Sequence, residues 1–176
     1  YNPASETTFN KTGTGGEVNL AIEPIAAVRI VTTAFYSWGG GRYIANTNLP
    51  DFIVNHDASM TLVTTRSYVI GTEIQASSKT GLYAYYSSAH ANRAVTNDAD
   101  GSAIGFGVPE STTANEQIGE ATVGITETFF RDPKIGGMQF MAQFSHVRRT
   151  PFSVPEATPQ DAAVNMLYFN VRYVLP

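Results

Sequence analysis

A chain of 176 residues with a formal net charge of -4 has no basic field able to neutralise a phosphate backbone, which argues against nucleic acid as a partner. Zero Cys removes disulfide staples and thiolate metal sites, and no run reaches the roughly 18 to 20 uninterrupted apolar residues of a membrane-spanning helix, although 43% of the chain is hydrophobic. Charged residues are only 15%, against roughly 25% in soluble domains, while ten Phe, nine Tyr and fifteen Gly suit β-structure with one side facing something apolar.

In chain order, seven segments show the period-2 alternation that sends successive side chains to opposite faces of a strand. Residues 17–23 set Val18, Leu20 and Ile22 against Asn19, Ala21 and Glu23, and Pro24 breaks the ladder. Residues 27–38 set Val28, Ile30, Ala34, Tyr36 and Trp38 against Arg29, Thr33 and Ser37. Residues 61–75 carry Tyr68 and Ile70, and residues 82–93 carry Tyr83, Tyr85 and Tyr86; alternation leaves the register of these two open. In residues 121–130, Val123, Ile125 and Phe129 oppose Thr122, Gly124, Thr126 and Thr128. Residues 138–147 set Phe140, Ala142 and Phe144 against Gln139, Gln143 and Ser145. The last segment, 164–175, sets Leu167, Phe169, Val171 and Tyr173 against Met166, Tyr168, Asn170 and Arg172.

Connections alternate in length. Residues 24–26, 76–81 and 132–137 are short and rich in turn chemistry, whereas 39–60, 94–119 and 148–162 are long and rich in Asn, Asp, Gly, Pro and Ser. Short turns on one side and long loops on the other are expected of an antiparallel, up-and-down transmembrane β-barrel, which satisfies every backbone polar group without water. Most segments match the roughly 9 to 11 residues of a membrane strand, residues 17–23 only if Gly15 and Gly16 join them. Tyr36, Trp38, Tyr43, Phe129, Phe130 and Tyr173 fall where aromatic girdles sit. With periplasmic turns, an odd strand count puts Tyr1 outside and the C-terminus in the periplasm. Single-chain bacterial barrels have even counts, so the expectation is one domain over 1–176, the C-terminal portion of a larger barrel, with 1–15 as an external loop remnant. The competing expectation is an eight-stranded barrel with one strand in the Gly-rich start. The opening Tyr1-Asn2-Pro3 lacks a charged start and apolar run, so any secretory signal is expected to be removed or to lie outside this sequence.

Three stretches carry a family resemblance: Ala34-Phe35-Tyr36-Ser37-Trp38-Gly39-Gly40-Gly41-Arg42-Tyr43-Ile44; Glu120-Ala121-Thr122-Val123-Gly124-Ile125-Thr126 leading into Phe130-Arg131-Asp132-Pro133-Lys134-Ile135-Gly136-Gly137-Met138-Gln139; and the ending Asn165-Met166-Leu167-Tyr168-Phe169-Asn170-Val171-Arg172-Tyr173-Val174-Leu175-Pro176. From about Glu17 onward the chain resembles porin-like outer-membrane proteins of acidobacteria and related environmental bacteria. The resemblance implies the C-terminal half of a larger barrel. The ending also looks like a barrel-assembly signal, departing from the usual final Phe or Trp by finishing Leu175-Pro176.

Four motifs imitate functional sites. Trp38-Gly39-Gly40-Gly41-Arg42 lacks the Gly-Lys-Ser or Gly-Lys-Thr of a phosphate loop and reads as a strand exit. Asp98-Ala99-Asp100-Gly101 imitates part of a calcium loop, but Gly107 stands where a bidentate Glu should close it. His56, His90 and His146 lack metal-ligand spacing. His56-Asp57, taken as strand neighbours, would point to opposite faces, and no Gly-x-Ser-x-Gly elbow accompanies them, so no enzyme, cofactor or metal is expected.

The polar faces supply an expected lumen lining: Asn19, Glu23, Arg29, Thr33, Glu73, Gln75, Thr126, Gln139, Gln143, Asn170 and Arg172. Their mixed charges would either set a transverse field that orients solutes or pair as a packed ladder. The expected function is a channel for passive diffusion of small polar solutes across a bacterial outer membrane. Its expected partners are membrane lipid, the solutes and, as an option, further copies of the chain. The first alternative is a structural or adhesive surface or secreted β-protein that self-assembles without transport. A weaker one is a soluble binding module with a carbohydrate site in its long loops.

Overall fold

The computed structural model describes residues 8–45 and 47–176. The chain forms strands β1 (Thr14–Ile25), β2 (Val28–Trp38), β3 (Phe52–Val54), β4 (Met60–Leu62), β5 (Thr64–Gln75), β6 (Thr80–Ala91), β7 (Ala94–Asn97), β8 (Ala103–Phe106), β9 (Asn115–Asp132), β10 (Gly136–Pro151) and β11 (Ala162–Val174). Seven of them make one antiparallel meander in the order β1-β2-β5-β6-β9-β10-β11. Each expected segment is a strand of this sheet. Between described residues the sheet does not close: β1 and β11 each pair on one side only.

The short turns work as their sequences require. In the β9–β10 turn, Asp132 Oδ1 accepts from the backbone N–H groups of Lys134 at 2.7 Å and Ile135 at 3.2 Å, an Asx turn. In the β5–β6 turn, Ser77 Oγ accepts from the N–H groups of Lys79 at 3.1 Å and Thr80 at 3.0 Å.

Several boundaries need correction. β1 is a full 12 residues and includes Gly15 and Gly16, so Thr14 and Gly15 are strand, not loop remnant; residues 1–7 lie outside the described part. Two long connections hold hairpins, β3–β4 and β7–β8, and β9 begins at Asn115, well inside the expected loop 94–119. Residues 61 and 62 belong to β4, because the chain turns at Val63 before entering β5. The register shifts between Met138/Phe130 and Gln139/Thr128, leaving Phe129 as the extra residue of a bulge that breaks the simple alternation. Tyr43 sits on a short 3-10 turn, Gly41–Tyr43, rather than on a strand end.

The core is small and at the long-loop end. Among the described residues the buried apolar side chains are Ile44, Leu49, Ile53, Val63, Ala91 and Ala94, with Phe35, Ala89 and Phe106 packed against them. They join the segment after β2, the two hairpins and the upper end of the sheet. The hairpins meet through the His56 Nδ1 to Asp98 Oδ1 contact of 3.2 Å. His56 and Asp57 lie in the β3–β4 turn and do not alternate along a strand, contrary to the expectation from the sequence.

Most of the sheet has no protein layer over its apolar face. Ile70 and Val123 lie on interior strands with neighbours on both sides, and each is still 52% exposed. Val18, Leu20, Leu82, Ile125, Phe144, Leu167, Phe169 and Val171 extend the same exposed band.

Candidate functional site

Cross-strand pairing fixes which side chains share a face, since directly opposed residues point the same way. One row runs Arg29, Glu73, Tyr83, Gly124, Gln143 and Tyr168 through successive strand pairs. The next runs Gln75, Gly81, Thr126, Met141 and Asn170, and Thr128, Gln139 and Arg172 follow. Asn19 opposes Thr33, whose hydroxyl donates to Asn19 Oδ1 at 2.6 Å. Glu23, beside the irregularity between Ile22 and Ile25, lines the same side. All eleven polar residues singled out in the sequence therefore occupy one face, opposite the exposed apolar band.

That face is concave. A single groove of about 790 Å³ is lined from Glu23 and Arg29, across Glu73, Tyr83 and Tyr85, to Gln139 and Gln143. A second space of about 480 Å³ shares Val69, Ser87 and Glu120 with it and lies beneath Tyr43, Ile44, Ala45 and Thr47. The segment after β2 thus folds inward over the upper end of the polar face, anchored by Ile44 in the small core.

The polar groups form a belt. Arg29 Nη1 lies 3.3 Å from Glu73 Oε2, and the Tyr85 hydroxyl donates to Glu73 Oε1. The Tyr83 hydroxyl donates to Gln143 Oε1 at 3.0 Å, and Gln143 Nε2 donates to Ser145 Oγ at 3.1 Å. Ser145 and Thr122 share a 2.8 Å hydrogen bond, and Thr122 donates to Glu120 at 2.9 Å. Arg29 and Glu73 are paired, whereas Glu23 and Arg172, on the two edge strands, have no polar partner among the described residues.

Sequence reading put Thr122 on the polar face without counting it in the lining, and missed Tyr83, Tyr85, Ser87 and Glu120 as members of this face. The available signal was glycine: Gly71 and Gly124 interrupt otherwise good strands, and such glycines mark close approach by another group. A β-carbon on Gly71 would meet the Tyr85 ring at 2.0 Å, and one on Gly124 would meet the Tyr83 ring at 2.2 Å.

The other candidates resolve locally. Asp98 and Asp100 cap the β7–β8 turn, accepting from the N–H groups of Ala99 at 2.8 Å and Ser102 at 2.9 Å. Among the described residues no three His, Asp or Glu side chains gather as a cation site. No helix among them is long and apolar enough to cross a membrane, which says nothing about crossing by strands.

Fold and face together define an all-β protein built on a two-faced antiparallel sheet, polar and concave on one side and apolar on the other. Compared with protein-family models, with curated proteins and with solved structures, the chain matches none of them.

Proposed function

We propose that this sheet is part of the wall of an outer-membrane β-barrel of the porin-like kind, whose polar face lines a water-filled path for small polar solutes. One observation carries the reading: a band of large apolar side chains is exposed on one face of the sheet, on interior strands as well as at edges, while the buried core among the described residues is confined to the loop end. A water-soluble domain of this length would bury most of its apolar surface, and exposed bands of this extent mark interfaces with protein or lipid. Lipid fits because the band follows the strands of the meander and faces away from the polar belt.

Strand direction sets what closure would require. Seven antiparallel strands leave β1 and β11 running the same way, so pairing them directly would be parallel. Antiparallel closure takes an odd number of further strands, and the unpaired edges of β1 and β11 are where they would add. No chemical step or cofactor enters this reading.

The same free edges favour the second reading, a surface or secreted protein that assembles edge to edge. Extraction separates the two. The pore reading expects a protein that resists salt washing, needs detergent, migrates differently on a gel when heated, and gives discrete conductance steps in a planar bilayer. Full solubility in plain buffer, with copies adding edge to edge, would replace it with the assembly reading.

A further inference from the structure

We propose that the concave face carries a carbohydrate-binding platform built by Tyr83 and Tyr85, so that the favoured solutes are neutral sugars. The inference rests on the pore reading, since it names the solute class of that path. Both tyrosines come from β6 but lean opposite ways. Tyr85 lies over Gly71 of β5 and Tyr83 over Gly124 of β9, and only the missing β-carbons let the rings lie this close to the sheet. Their hydroxyls are tied down by Glu73 and Gln143, and the ring centroids are 5.9 Å apart with planes at 50°. Two fixed rings therefore line the groove.

A pyranose matches such a surface: one face presents C–H groups to an aromatic ring, and its rim presents hydroxyls that both donate and accept. Neutral groups with spare hydrogen-bonding capacity line the same groove. The Thr126 hydroxyl has no polar partner among the described residues, and Gln139 donates to Thr128 at 3.2 Å while keeping its amide oxygen open. Around the groove Glu23, Glu73 and Glu120 outnumber Arg29 and Lys79, which disfavours anions. The groove of about 790 Å³ falls within the roughly 300–1,000 Å³ of small-molecule sites.

The test is saturation-transfer NMR on the detergent-solubilised full chain, with sucrose, maltose, sorbitol and tetramethylammonium as probes. Sucrose or maltose should receive saturation at ring C–H positions. Sorbitol, which has no ring, should receive far less. Tyr83→Phe and Tyr85→Phe should keep binding, whereas Tyr83→Leu should raise Kd about tenfold, the loss of one aromatic contact of order 1.4 kcal/mol. If Tyr83→Leu does not fold, cross-saturation from sugar to ring protons of the unmodified protein, assigned with Tyr83→Phe, still decides. Equal signals for sugar and sorbitol, or transfer to tetramethylammonium alone, would overturn the platform. Conductance without sugar binding would reject the platform and leave the pore, whereas sugar binding without conductance would reject the pore.

Discussion

The ring of Tyr85 on β6 lies across Gly71 on β5, where a β-carbon would come within 2.0 Å of it. This contact ties a gap in one strand to an aromatic residue in the next. Gly71→Ala is expected to displace the ring and its hydrogen bond to Glu73, costing about 1–3 kcal/mol as overpacking does. Urea unfolding of the protein refolded in vesicles measures it. In Gly71→Ala combined with Tyr85→Ala the clash disappears, so the two losses should sum to more than the double variant shows.

Val123 distinguishes a lipid-facing sheet from a water-facing one. It is 52% exposed on an interior strand. Facing the bilayer midplane, Val123→Arg should cost about 2–4 kcal/mol; facing water, a surface substitution should stay within about 0.5 kcal/mol. The free energy of unfolding read by tyrosine fluorescence decides between them.

Arg29 and Glu73 have side chains 50% and 40% exposed, so their pairing contributes little to stability, under about 1 kcal/mol. Its effect should appear in permeation. Glu73→Gln leaves Arg29 unbalanced and should move the reversal potential in a KCl gradient toward anions, and Arg29→Met should move it toward cations. Unchanged potentials in both variants would place the pair off the ion path.

Ile44 anchors the inward-folded segment in the small core at the loop end. Ile44→Ala should cost about 2 kcal/mol, the lower end for such a truncation because the cluster is small. Single-channel conductance should rise as the segment loosens from the upper end of the groove. An unaltered conductance in a correctly folded variant would mean that the segment does not narrow the path.

In the β3–β4 turn, the Ser59 hydroxyl donates to Asp57 Oδ1 at 2.5 Å and its backbone N–H donates at 2.9 Å, holding the Asp57 carboxyl below its ordinary 3.8. A pKa depressed by folding stabilises the turn above the unfolded value, and that contribution is lost as pH falls through the folded value. A carbon-13 titration should therefore place the Asp57 midpoint below 3.8, and Ser59→Ala should move it upward.

Alternation alone marked the seven sheet strands and, in five of them, the two faces, because a side-chain period of two divides apolar from polar residues wherever the surroundings differ across the sheet. Asn19, Thr33, Gln139 and Arg172 were legible for that reason, and the turn at Asp132 was legible from its side-chain chemistry. Register was not. Which residue lies beside Tyr85 or Tyr83 depends on how adjacent strands slide past one another, set by turn geometry and bulges such as that at Phe129. The hairpins β3–β4 and β7–β8 and the inward fold at Ile44 were hidden because short strands in polar loops carry little periodicity. They are held by one cluster that joins Ile44, Leu49, Ile53, Val63, Ala91 and Ala94 from separate parts of the chain, which come together only when the sheet has formed.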